Sequence, residues 1–424
     1  MTETSAVPSA ARRLSGFSVI MIATMISGIA SYVTIWLVPR QIGLADYAVF
    51  AVFWSSIYLV VGALSGIQQE VTRGTHPADP TLPPRLSRAR NFGIASGIVV
   101  FALVTGTAAA WVRQVFPTDG WSLVWPLALG AASSVMVAVL GGSLYGVAEW
   151  RPLALMMVTD SVMRLVAISI VLLFTTNVVA LAWAIAAPFP LTLILLWPFV
   201  RRSIVGRSQL DVGYRTLTWN VIRTIVAAAS TGVMVSGFPL LLGITSRSEP
   251  QEIVGLFVLT ITLTRAPLIV VAISLQSYFI VSFRDNAEHF WRQFLRIQAL
   301  IFGAGFVLAL AGWLLGPEVF AFLFPGALRP ERAFIAVLVL SSALVGALCV
   351  SAPAVLARSQ HFIYSAGWVV AAAVTVFALL LPLDFTTRTL LALISGPVAG
   401  LIIHAAYLVV AGRRERRVAF TGSA

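Results

Sequence analysis

Val254–Phe283 reads VGLFVLTITLTRAPLIVVAISLQSYFIVSF, an apolar run in which Arg265 is the only charge. A stretch of about 20 such residues crosses a bilayer, so this segment makes the chain a membrane protein. An arginine at the centre of a membrane helix costs about 2.5–3.5 kcal/mol on the translocon scale. Arg265 is therefore a candidate functional residue from the outset.

The rest of the chain has the same character. Hydrophobic residues make up 59% of its 424 positions, charged residues only 10%, and the mean hydropathy is +0.94. Soluble domains carry about 25% charged residues. The apolar residues fall in long continuous runs, not in the roughly 10-residue alternating segments of a membrane barrel. The spacing predicts twelve spans: 17–38, 47–67, 92–110, 123–147, 153–174, 178–200, 221–244, 254–283, 297–315, 333–356, 364–383 and 390–411. The first run is too long for the apolar core of an export signal and reads as an uncleaved helix.

The positive charge sorts by side. All 28 basic residues are arginines; 19 fall in segments on the side of the N-terminus and 6 (Arg40, Arg113, Arg247, Arg329, Arg332 and Arg388) on the other. Arg164, Arg223 and Arg265 lie within spans. This bias predicts a cytoplasmic-membrane protein with both termini in the cytoplasm. It also accounts for much of the net charge of +12: attraction to anionic lipid head groups is the simple reading, and nucleic acid is not an expected partner. The segment Arg284–Arg296, which mixes Phe290, Trp291, Phe294 and Leu295 with charges, is expected at the interface.

Arg201–Asn220 divides the spans six and six. The expected organisation is a cytoplasmic tail 1–16, an N-lobe 17–200, a cytoplasmic linker 201–220, a C-lobe 221–411 and a basic cytoplasmic tail 412–424. Shifting the second half back by 207 positions sets Val254-Gly255-Leu256-Phe257 on Tyr47-Ala48-Val49-Phe50. Six spans per half makes the halves parallel repeats. The fold expected is thus an all-α polytopic membrane protein, about twelve transmembrane helices in two six-helix lobes around a central cavity.

Four polar residues within spans are candidate site residues. Asp160 and Arg164 lie four apart on one helix face, acid before base, the favourable order. They read either as a structural pair or, through Asp160, as an ion-coupling group. Arg265 has no acid within a turn of its own helix, which leaves two readings. One is a carboxylate on another helix, with Asp160 a candidate; the other is an anionic substrate group, since the guanidinium fork suits phosphate oxygens. Pro267 favours a kink beyond it, and Gln276 is a second cavity candidate. GxxxG spacings at Gly62/Gly66, Gly93/Gly97, Gly142/Gly146 and Gly396/Gly400 read as close helix packing. His404 reads as a hydrogen-bonded helix contact.

Enzyme signatures are missing from the sequence. There is no GxxxxGK[ST] loop, HExxH, GxSxG or acidic loop cluster, and the single cysteine, Cys349, falls inside an apolar run. No catalytic residue, metal or cofactor is expected, which disfavours a membrane glycosyltransferase.

Several fragments carry a family resemblance. GLADYAVFAVFWSSIYLVVGALSGIQQEVTR (Gly43–Arg73) resembles the second span of polysaccharide flippases of the multidrug/oligosaccharidyl-lipid/polysaccharide exporter superfamily. LYGVAEWRPLALMMVTDSVMRL (Leu144–Leu165) is similar to their fourth-to-fifth span connection, IVGLFVLTITLTRAP (Ile253–Pro267) to their eighth span, and VFAFLFPGALRP (Val319–Pro330) to the loop after the ninth. The resemblance implies translocation of a polyprenyl-diphosphate-linked oligosaccharide by alternating access, for surface-polysaccharide assembly. Membrane lipids and glycosyltransferase or polymerase assembly proteins would then be its partners. Arg265 and Gln276 would meet the diphosphate. The rival readings are a multidrug or cation exporter of the same superfamily, which needs cavity carboxylates, and a membrane scaffold that transports nothing.

Overall fold

The computed structural model describes the backbone of residues 10–78, 88–274, 279, 282, 283 and 289–421. Thirteen helices lie among these residues: α1 (Ala10–Gly74), α2 (Arg88–Val115), α3 (Gly120–Gly146), α4 (Trp150–Phe174), α5 (Val178–Ala186), α6 (Pro188–Ile204), α7 (Tyr214–Val235), α8 (Phe238–Thr245), α9 (Gln251–Ser274), α10 (Phe290–Leu323), α11 (Arg332–Leu356), α12 (His361–Leu379) and α13 (Phe385–Thr421). Among the described residues, nine helices are long and apolar enough to cross a membrane, or ten when the bent pair α7 and α8 counts as one. The first of them, broken at Gly43, is 57 residues long, enough for two crossings. The all-α polytopic fold read from the sequence is the one observed.

Helix boundaries depart from the sequence reading where one residue or one side chain decides them. The expected loop between the first two spans is a single break inside α1, at Gly43, with φ 77° and ψ 172°. That region is closed to residues with a Cβ. Helix α10 runs to Leu323, past its expected end near Leu315 and through Pro317. Pro317 cannot donate to the carbonyl of Trp313, and Arg332 makes up the loss by donating Nη1 to the carbonyls of Trp313 and Leu314 at 3.1 and 2.7 Å. The aromatic residues expected at the interface open α10, where Phe290 and Phe294 are core and Leu295 is exposed. At the head of α13, the Thr387 amide donates to Asp384 Oδ2 at 2.9 Å and holds that carboxyl below its ordinary value.

The chain divides into two compact units. One comprises Met1–Gln41 and Val60–Ala228, the other Ile42–Leu59 and Ala229–Ala424. The second span therefore changes unit partway along α1, and the seventh does so partway along α7.

In the first unit, Leu64, Ile67 and Val71 of α1 pack with Phe92 of α2, Val135 and Val139 of α3, and Leu217 and Val221 of α7. Close approach is possible because α3 presents Gly142 and Gly146, where a Cβ would stand 2.7 Å from the carbonyl oxygens of Gln68 and Thr75. Beyond α1, Thr75–Pro77 (β1) pairs antiparallel with Ser208–Leu210 (β2), Thr75 opposite Leu210. This ladder ties the segment expected as the inter-lobe linker to the end of α1, a pairing that three-residue strands leave unmarked in the sequence.

In the second unit, α11 is the central helix, with residues buried along most of its length. Its Val345, Leu348 and Cys349 pack with Met234 of α7 and Trp368 of α12. Gly400 of α13 lies against the backbone of α12, a Cβ there standing 2.8 Å from the Gly367 carbonyl. His404, fully buried, pairs Nδ1 with Ser351 Oγ at 2.8 Å. It is the hydrogen-bonded helix contact expected of it.

Candidate functional site

Two of the membrane spans lose backbone hydrogen bonds to proline, the sixth with helical backbone kept at Ala187 (φ −59°, ψ −34°) and the seventh with a bend of 72°, and a buried arginine stands at each. In the sixth span, Pro188 and Pro190 cannot donate to the carbonyls of Ala184 and Ala186, so α5 ends at Ala186 and α6 begins at Pro188. The carbonyl of Ile185, which an unbroken helix would give to the amide of Phe189, accepts instead from Arg164 Nε of α4 at 3.3 Å. The same guanidinium lies 4.8 Å from the Phe189 ring centroid.

The seventh span repeats the arrangement. Helix α7 ends at Val235, Pro239 withdraws another donor, and α8 leaves at 72° to α7. The carbonyl of Met234, four residues before Phe238, accepts from Arg265 Nη2 of α9 at 3.2 Å, and the guanidinium lies 5.7 Å from the Phe238 ring. Both breaks share Phe-Pro-Leu, at 189–191 and 238–240. Ser55 of α1 completes the second break, donating to the Ser236 carbonyl and accepting from the Leu240 amide.

The two arginines differ in how their charge is met. Arg164 Nη2 contacts both carboxylate oxygens of Asp160, at 2.9 and 2.8 Å, with the arginine 5% exposed. Arg265 is equally buried, also at 5%, yet among the described residues no carboxylate pairs with it and its Nε has no hydrogen-bond partner. The candidacy of Asp160 as partner of Arg265 is thus corrected: the i, i+4 geometry gives Asp160 to Arg164. Gln276 lies outside the described residues. Pro267 sits inside α9, which continues to Ser274.

Sequence reasoning missed one buried acid. Glu70, 6% exposed, accepts from Arg73 Nη1 at 2.8 Å and from Thr224 Oγ1 of α7 at 2.7 Å. The apolar run ends at Ile67 but the helix does not, and the i, i+3 pairing with Arg73 was the available signal. Arg223, expected inside a span, is exposed on α7.

The fold recurs in solved membrane transporters. A multidrug resistance MATE family transporter of the MOP superfamily, in its inward-facing conformation, superposes with a TM-score of 0.66 over 96% of this chain and 99% of its own, at 16% identity. The outward-facing conformation gives 0.60 over 94% and 96%, again at 16% identity. A MOP superfamily transporter from Pyrococcus furiosus, described as having a binding pocket of reverse polarity that suggests a different function, gives 0.53 over 94% and 95%, at 17% identity. The helical fold of this chain is thus one seen in these transporters.

Closer relatives are mycobacterial. The chain is 31% identical over 385 residues to Uncharacterized protein Mb3654 of Mycobacterium bovis, covering 90% of this chain and 89% of that one. It is 30% identical over 388 residues to Uncharacterized protein Rv1510 of Mycobacterium tuberculosis, covering 91% and 90%. The chain belongs to the family of these mycobacterial proteins. No family model matches it.

Proposed function

We propose that the protein is a transporter, not an enzyme, that flips a polyprenyl-diphosphate-linked oligosaccharide across the cytoplasmic membrane by alternating access of its two lobes. The observation that carries this reading is Arg265, a membrane-buried guanidinium with no carboxylate partner among the described residues and an unpartnered Nε. A buried cation without an anion is strongly unfavourable, and a substrate diphosphate would supply the missing charge in the form a guanidinium binds best. The lipid tail stays in the bilayer while the head group crosses. The arginine bias supports cytoplasmic termini, and surface-polymer assembly proteins are the natural partners.

A multidrug or cation exporter has the wider group of MATE neighbours in its favour. Such a site needs unneutralised acid. Among the described residues, half-buried Asp160 and buried Glu70 are each held by an arginine. Polarity therefore favours the anionic substrate.

The test is Arg265→Gln, at matched protein level, followed by surface-polymer export and by transport of a labelled lipid-linked sugar in vesicles. Export and flipping should fall at least tenfold. Normal rates would remove Arg265 from the site, and a wild-type protein that moves no lipid-linked sugar would favour the scaffold.

A further inference from the structure

The second unit holds another buried donor without an acceptor, close to the same residues that Arg265 reaches. Trp368 of α12 is 1% exposed and its indole Nε1 has no hydrogen-bond partner. The ring packs in one cluster with Met234, Val345, Leu348 and Cys349. Arg265 of α9 borders that cluster, giving Nη2 to the Met234 carbonyl.

Orphaned buried donors are uncommon, and each costs about 1–3 kcal/mol, more where the group is charged. Two from different helices, one packed in the cluster of Met234 and the other bonded to the Met234 carbonyl, call for a shared cause. Both groups donate only; neither indole nor guanidinium can accept. The Met234 carbonyl already accepts from Arg265. A bridging water would satisfy the two donors but would bring two protons of its own into apolar surroundings. An oxyanion brings acceptors alone, together with the negative charge that Arg265 lacks.

We propose that the Trp368 indole N–H is the second donor of the anion site built on Arg265, and that this pair selects a phosphate-type group, the diphosphate of the substrate. The inference rests on the reading of Arg265 as the anion contact. It adds a neutral donor that holds one oxygen in a fixed direction, where the guanidinium alone would also accept a carboxylate.

Full-length protein with 15N-labelled tryptophan indoles, in lipid nanodiscs, gives a direct readout. Trp368→Phe assigns its signal among the 12 tryptophans. Inorganic diphosphate should move the Trp368 indole proton downfield in the wild type and not in Arg265→Gln. Removing the N–H should weaken diphosphate binding about tenfold, the effect of one hydrogen bond to a charged group. A benzothienylalanine at position 368, which keeps the ring size, should show the same loss should the phenylalanine variant fold poorly.

Diphosphate binding that needs Arg265 but leaves the Trp368 signal and the Trp368→Phe affinity unchanged overturns the second donor and spares the first. Binding that is indifferent to Arg265→Gln overturns both. Nanodiscs carrying polyprenyl diphosphate should reproduce the shift. An equal shift with phosphatidylglycerol alone would keep the two donors and assign them to ordinary phospholipid, against the proposed substrate.

Discussion

Asp160→Asn is the change whose outcome separates a structural pair from an ion-coupling acid. In the native protein one Arg164 nitrogen meets both Asp160 oxygens at 2.9 and 2.8 Å, and the two side chains are 20% and 6% exposed. Asparagine keeps the shape and one acceptor oxygen but loses the charge, so Arg164 is left buried beside the Ile185 carbonyl and the Phe189 ring without the counter-charge of Asp160. Breaking a buried pair from one side costs about 3–5 kcal/mol. One-fifth exposure of the acid places the expected loss near the lower figure, about 3 kcal/mol.

The double variant Asp160→Leu with Arg164→Met behaves differently. It removes both charges together, and replacing a whole buried pair by apolar residues is often neutral or stabilising by about 1–4 kcal/mol. Losing the Arg164 bond to Ile185 takes back about 1 kcal/mol, so the double should lose no more than about 1 kcal/mol relative to the wild type. Reversible unfolding in mixed detergent and dodecyl sulfate micelles reads all three variants. The reasoning fails if the asparagine variant loses under about 1 kcal/mol, or if the double loses more than the single. A double that folds normally yet no longer exports polymer would give the pair a role in transport beyond structure.

Three further changes test the fold around the breaks. Gly142→Ala places a Cβ 2.7 Å from the Gln68 carbonyl and should destabilise by about 1–3 kcal/mol, whereas Gly28→Ala, with nothing within 4 Å, should be neutral or slightly stabilising; equal melting temperatures would refute the packing role. Ser55→Ala strips the Leu240 amide and Ser236 carbonyl of their partner, which should cost about 1–3 kcal/mol and raise hydrogen exchange in α8 while sparing α12. Asp384 has its carboxyl lowered by the Thr387 amide, so its cap is present at neutral pH and is lost as pH falls below the usual carboxylate value of about 3.9. Exchange of the Thr387 amide, corrected for its intrinsic rate, should rise across that acid range, and a flat profile identical to that of Asp384→Ala would remove the cap.

Much of the fold could be read because bilayer thickness turns composition into span length. Lipid requires every backbone group to be satisfied within the helix, so runs such as 153–174 and 333–356 match α4 and α11 to within a few residues. The exceptions come where a side chain replaces a backbone donor. Pro317 does not end α10 because Arg332 takes the carbonyl it strands, and no local pattern joins residues so far apart in the chain. Gly43 is a similar case: a turn signal marks the place but not that one residue suffices. At the candidate site, Asp160 and Arg164 were legible from spacing alone, since four residues fix a helix face. Trp368 was not, because an indole in an apolar run looks like any core aromatic until its nitrogen is found without a partner.

Arg164 and Arg265 together suggest why a membrane protein would carry two such costly residues. Each stands at a helix break marked by Phe-Pro-Leu and each takes the carbonyl four residues before the phenylalanine. They are not copies within the two halves, since one acts from the fifth span on the sixth and the other from the eighth on the seventh. Holding a broken span in lipid needs a donor that reaches from a neighbouring helix, and arginine does this while stacking on the ring beside the break. That task alone requires no net charge, and in the first unit Asp160 cancels it. In the second unit the same device is left charged among the described residues, with one nitrogen unused. An anion drawn to Arg265 would then compete with the Met234 carbonyl for the guanidinium, so that binding at this site and the bend between α7 and α8 share one group.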